Sequence, residues 1–174
     1  MHRPFHLAAL LAAALALLPS FAQNTGGPLE SRLAARKVVV VDGRESLVEA
    51  TDAKPGDLIE YTATYRNSGK AAIRSLEATL PIPKDTEYVP GSARPAGARA
   101  SVDGKSFAAI PLRRKAKRAD GKEGDEPVPL RDYRALRWTA AELGGEKTLA
   151  FSARVRVSNE GPRPPEAAGR GGGK

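Results

Sequence analysis

Between Lys54 and Ala93 the apolar residues recur at every second position, and turn-forming residues stand at the ends of each run. Ile59, Tyr61, Ala63 and Tyr65 fall on one face of a strand, with Leu58, Glu60, Thr62, Thr64 and Arg66 on the other. The same period of two recurs in Leu76, Ala78, Leu80 and Ile82, and in Leu149, Phe151, Ala153, Val155 and Val157 against Thr148, Ser152, Arg154 and Arg156. Such a period buries one face and leaves the other in water, the pattern of half-buried antiparallel strands. Pro55-Gly56-Asp57, Asn67-Ser68-Gly69, Pro90-Gly91, Asp103-Gly104 and Gly144-Gly145 supply the turns. Asp103-Gly104, between Ala100–Val102 and Ser106–Ile110, predicts a two-residue hairpin, because both residues tolerate positive φ.

Strands are expected near 37–41, 46–51, 57–67, 73–82, 85–89, 98–102, 106–110, 134–139 and 147–157. That number suits two packed sheets, so the predicted fold is an all-β antiparallel sandwich over 37–157 rather than a barrel. Leu29 to Arg36 has a weak helical look, and 23–36 is read as a flexible lead-in. The interval 112–132 has no strand pattern and is longer than most connections in a compact domain, so it is read as a long loop. Beyond Val157 the chain is too poor in apolar side chains to bury anything, which makes 158–174 a mobile tail. Trp138, the single Trp, alternates with Leu136 on an expected strand. A core indole is the ordinary use of so large an aromatic, and a ligand-stacking platform is the alternative; Tyr61 and Tyr65 are read the same way.

The first 22 residues have the order of a secretory leader: Arg3, an apolar run from Leu7 to Leu18, and Ser20-Phe21-Ala22. Cleavage is expected to leave Gln23 at the start, because the run is well short of the roughly 20 residues that span a bilayer. The product is expected to be soluble outside the cytoplasm, periplasmic or extracellular, with no transmembrane segment after cleavage. Both histidines, His2 and His6, lie in the leader, and the chain has no Cys. A mature chain without imidazole or thiolate cannot build zinc, copper, haem or iron–sulfur sites of the usual kind, nor Ser-His or Cys-His nucleophiles. It also lacks disulfides, so its stability must come from an apolar core.

Ala53 to Gly69 reads Ala-Lys-Pro-Gly-Asp-Leu-Ile-Glu-Tyr-Thr-Ala-Thr-Tyr-Arg-Asn-Ser-Gly, followed by Leu-Pro-Ile-Pro at 80–83 and Thr-Glu-Tyr-Val-Pro-Gly-Ser at 86–92. These motifs resemble the bacterial conserved-repeat domain of unknown function that is the eleventh of its series. The resemblance covers residues 46–93 closely and 130–157 loosely, and its motifs are turn and core residues. It implies an immunoglobulin-like β-sandwich in an envelope or surface protein, and it implies no chemistry. This chain holds one copy, and Ala78-Thr79 stands where the family commonly has an Asp shortly before Leu-Pro.

The chain carries 28 Lys and Arg against 20 Asp and Glu, a formal net charge of +8. Arg113, Arg114, Lys115, Lys117 and Arg118 concentrate part of that excess, followed by Asp120, Glu123, Asp125 and Glu126. The run is either a solvated stretch or a weak binder of anionic envelope lipid or polysaccharide. A nucleic-acid role is not expected, because no aromatic between Phe107 and Tyr133 could stack a base. The acidic residues lack the spacing of a calcium loop, and five nearby cations would repel the ion. Asp52, Asp57 and Glu60 could be imagined as the paired carboxylates of a glycan hydrolase, but Asp57 sits in a Pro-Gly-Asp turn, where local backbone amides claim its side chain. The expected function is therefore a non-catalytic structural or interaction module of the cell envelope, with no cofactor and no catalytic or metal residues, and with an unidentified envelope protein or polymer as partner.

Overall fold

The computed structural model describes residues 27–117 and 121–159. The leader at 1–22, the tail from residue 160 onward, Arg118 and Asp120 lie outside them. Among the described residues eleven strands follow one another: β1 Leu29–Val41, β2 Arg44–Glu49, β3 Leu58–Asn67, β4 Ile73–Pro81, β5 Thr86–Tyr88, β6 Arg99–Ser101, β7 Ala108–Ala109, β8 Arg113–Lys117, β9 Glu123–Pro127, β10 Ala135–Leu143 and β11 Thr148–Val157. A 3-10 turn, Leu130–Asp132, precedes β10. A five-stranded sheet has the order β2-β1-β3-β11-β5, a four-stranded sheet has β4-β10-β6-β7, and β8-β9 stands as a separate ribbon. All pairings are antiparallel. The chain is an all-β antiparallel sandwich.

The alternation of the sequence becomes the core. Ile59 and Ala63 of β3, Leu76, Ala78 and Leu80 of β4, and Phe151, Ala153 and Val155 of β11 are buried between the sheets. Trp138 is buried too, 5.3 Å from the Phe151 ring, and its indole N–H donates to the Pro95 carbonyl at 2.7 Å. Tyr65 spans the layers: its hydroxyl accepts from Thr79 N at 3.0 Å and donates to Thr79 O at 3.2 Å, which joins β3 to β4. Asn67 closes one end of the sandwich. Its buried amide donates to the carbonyls of Ala71, Leu143 and Gly144 and accepts from Gly69 N, so an Asn expected only as a turn former also ties β3 to the β10–β11 connection.

Three expectations are corrected. The sandwich begins at Leu29 rather than 37, because Leu29–Val38 pairs residue by residue with Asn67–Leu58, and a sheet ladder outweighs a weak helical pattern. The interval 112–132 is not a loop throughout: Arg113–Lys117 pairs with Glu123–Pro127. Asp103-Gly104 is not a two-residue hairpin, since β6 and β7 pair only at Arg99↔Ala109 and Ala100↔Ala108. The Asp103 carboxylate instead accepts from Lys105 N, Ser106 N and the Ser101 hydroxyl, which organises a wider turn.

Candidate functional site

Lys37 is followed by four consecutive valines, Val38 to Val41, and then by Asp42-Gly43 and Arg44. Asp42 and Gly43 take φ of 51° and 75°, positive at both central positions, which makes a tight turn whose twist matches its strands. The turn folds β2 back on β1 with Val41↔Arg44, Val39↔Ser46 and Lys37↔Val48 in register. In such a hairpin the pair flanking the turn is hydrogen-bonded and the pairs then alternate. The backbone groups of Ser46 and Val48 therefore face β1, and those of Glu45, Leu47 and Glu49 face away, along the open edge of the five-stranded sheet.

This ribbon is also where apolar surface escapes burial. Among the described residues the exposed large hydrophobics are Val40, Val41, Leu33, Leu47, Val48 and Val102, and five of the six lie on β1 and β2. Val40 is the most open, at 71% exposed. The cause is the offset of the layers: β4 packs across β3 and β11, and β10 across β11, while β1 and β2 pack chiefly on β3 and on each other. Leu47 borders a groove of about 310 Å³ on the outer face, with Ala34, Thr62 and Thr64 beside it and Arg32 at one side.

Ion pairs fix the ribbon to the sheet. Arg154 of β11 holds the Glu45 carboxylate with both terminal nitrogens, at 3.1 and 2.8 Å, and donates from Nε to Glu60 at 2.9 Å. The guanidinium keeps the Glu45 carboxyl below the usual carboxylate range. Lys37 meets Asp57 at 2.7 Å, and Asp57 also accepts from Lys54 N, the local amide bond expected of the Pro-Gly-Asp turn. Those contacts lower the Asp57 carboxyl, the Lys37 bond most. Asp57 and Glu60 are thus each engaged by a cation.

The basic run lies on β8 and faces its own counter-charges. Arg114 pairs with Glu126 at 2.7 Å and Lys115 with Asp125 at 2.9 Å; Lys117 stands opposite Glu123 in the ladder, and Arg113 donates to the Asp125 carbonyl at 3.1 Å. Instead of a flexible loop, β8 and β9 form a ribbon with the cations on one strand and the acidic side chains opposite them on the other. Among the described residues no three His, Cys, Asp or Glu side chains converge as a metal site, and no helix is long and apolar enough to cross a membrane.

Neither family models, nor curated proteins, nor solved structures give a match to this chain.

The surface that sequence reading missed is the β1–β2 ribbon. Its signals were present: Asp42-Gly43 is the dipeptide that favours two-residue hairpins, and four valines in a row put apolar groups on both faces of one strand.

Proposed function

We propose that the protein is an exported, non-catalytic interaction module of the bacterial cell envelope, immunoglobulin-like in topology, which holds an extended strand of a partner protein along the open edge of β2. The observation that carries this reading is the β1–β2 ribbon, where, among the described residues, an unpaired backbone edge coincides with five of the six exposed large hydrophobics. An edge strand offers a row of N–H and C=O groups that only another extended polypeptide satisfies in register, and alternate side chains then supply selectivity. The groove beside Leu47 gives the incoming side chains a place on the outer face. Export rests on the leader-like residues 1–22, and the envelope setting on the resemblance of residues 46–93 to the conserved-repeat domain.

Leu47→Pro separates this reading from simple apolar stickiness. The Leu47 N–H faces the open edge, so proline there leaves the β1–β2 ladder intact but removes a donor that an added strand needs. Photocrosslinking from position 49 in the native envelope should join the protein with Leu47 in place to a partner, and the amides of Glu45 and Leu47 should exchange more slowly in that complex. The Leu47→Pro protein should melt close to wild type and lose the partner. Undiminished capture by Leu47→Pro, or crosslinking only to a second copy of this chain, would overturn the proposal.

A further inference from the structure

A second concave surface lies at the root of the β8–β9 ribbon and uses no residue of β1 or β2. The cleft has a volume of about 390 Å³, within the range of small-molecule sites. Its floor is apolar: Leu112 and Val128 are buried, and Val102 is, among the described residues, the one exposed large hydrophobic outside the β1–β2 ribbon. Its rim carries Arg113, Arg114 and Arg134.

The fold holds both floor and rim in place. Val128 N donates to Leu112 O at 2.9 Å, which closes the root of the ribbon, and Leu112 N donates to the hydroxyl of the buried Tyr133 at 2.8 Å. Arg134 is oriented by its own backbone surroundings: Nη1 donates to the carbonyls of Arg131 and Tyr133 at 2.7 and 2.8 Å. That leaves the rest of its planar fork for a ligand. The three guanidiniums differ in what already occupies them. Arg114 is paired with Glu126 through Nε. Arg113 and Arg134 form no ion pair among the described residues; Arg113 donates from Nη2 to the Asp125 carbonyl at 3.1 Å and feels the Asp125 carboxylate at longer range, and that carboxylate is paired with Lys115. Asp132 is the single acidic side chain of the lining.

A guanidinium fork matches the two oxygens of a carboxylate, and an apolar floor favours a ligand whose charge is joined to hydrocarbon over a bare inorganic ion. We infer that this cleft binds a small organic carboxylate carrying an apolar group, with Arg134 and Arg113 holding the carboxylate and Val102, Leu112 and Val128 receiving the apolar part. A fatty acid and the C-terminus of a peptide ending in an apolar residue both present this chemistry.

The test is a nuclear magnetic resonance titration of the full mature chain with octanoate, N-acetyl-alanyl-leucine, octylammonium and acetate. Octanoate or the dipeptide should shift the methyl signals of Val102, Leu112 and Val128 saturably. Tighter saturation by octanoate identifies a fatty acid, tighter saturation by the dipeptide a peptide terminus, and both support the assignment. Octylammonium should leave those signals unmoved, and acetate should bind about tenfold more weakly or worse, since it buries almost no apolar surface. Arg134→Gln should raise the dissociation constant about tenfold or more through loss of the charge-assisted bonds. Because the Arg134 side chain also bonds two carbonyls, Val102→Asp provides an independent variant: it changes an exposed position, should melt like wild type, and should abolish octanoate binding by placing a like charge on the floor. No saturable shift with either carboxylate, equal shifts with octylammonium, or unchanged binding by Val102→Asp would overturn the inference.

Discussion

Single side chains in this sandwich differ in cost according to what they leave behind. Trp138 fills the space beside Phe151 and satisfies its own N–H, so Trp138→Ala should destabilise the domain by about 3 to 5 kcal/mol in chemical denaturation, the usual cost of emptying a large buried site. Tyr61 lies on the same face of the sheet as Ile59 but is only partly buried, and Tyr61→Ala should cost clearly less than Trp138→Ala. Asn67→Leu removes the one side chain that serves three carbonyls and an amide at the end of the sandwich. Its cost should be about 2 kcal/mol or more, because buried groups left without a partner lose the whole desolvation penalty. Gly145 is constrained differently: a Cβ there would overlap the carbonyl oxygen of Lys70, so Gly145→Ala should be among the most damaging changes outside the core. A melting temperature for Gly145→Ala within a degree or so of wild type would remove that argument.

At the level of elements, the two ribbons show what periodicity can and cannot reveal. Half-buried strands such as β3, β4 and β11 write their apolar face into the sequence at every second residue, and each was readable together with its turn. The nine expected strand positions all correspond to strands, though β5, β6 and β7 are shorter than expected. β8 and β9 were not readable. Neither strand packs a continuous apolar face, so Arg-Arg-Lys-Ala-Lys opposite Glu-Gly-Asp-Glu-Pro carries no period, and only the matching of charge across the ladder hints at pairing. The ribbon should accordingly be sensitive to that matching. Replacing Asp125 and Glu126 by Lys would set like charges opposite one another, and faster proteolysis within residues 113–127 would report the loosened ribbon while the melting of the sandwich changes little. The β1–β2 ribbon failed for another reason. β2 and the last part of β1 were found and Leu29–Arg36 was not, but a chain that is apolar on both faces does not say which face is covered; that depends on the offset of β4 from β1, a tertiary fact that local sequence does not contain. The cleft was hidden likewise: Arg113 and Arg114 were singled out, but Arg134 joins them only through the pairing of β8 with β9 and the turn before β10.

At the scale of the whole molecule, several carboxylates are tied into the fold and should set its response to acid. Hydrogen bonds from Arg154, Lys37 and Lys115 lower the carboxyls of Glu45, Asp57 and Asp125, and the amides of Lys105 and Ser106 with the Ser101 hydroxyl hold Asp103 far below the usual range. A carboxyl with a depressed folded value contributes stability that is fully present above its unfolded value and is lost as pH falls through the folded one. The urea midpoint should therefore be flat near neutrality and fall below about pH 4, where unfolded carboxylates titrate. Asp103→Asn should flatten part of that fall. A midpoint that rises on acidification would contradict this assignment.

The most direct test of the account is residue-resolved amide exchange on the isolated mature protein, because the open edge of β2 is the feature on which the proposed function rests. The amides of Ser46 and Val48, bonded to β1, should exchange slowly, while those of Glu45, Leu47 and Glu49 should exchange at rates close to unstructured chain, giving an alternation along one strand. Uniform protection of Glu45, Leu47 and Glu49 in the isolated monomer would mean that another part of the chain already covers the edge, and would contradict the account.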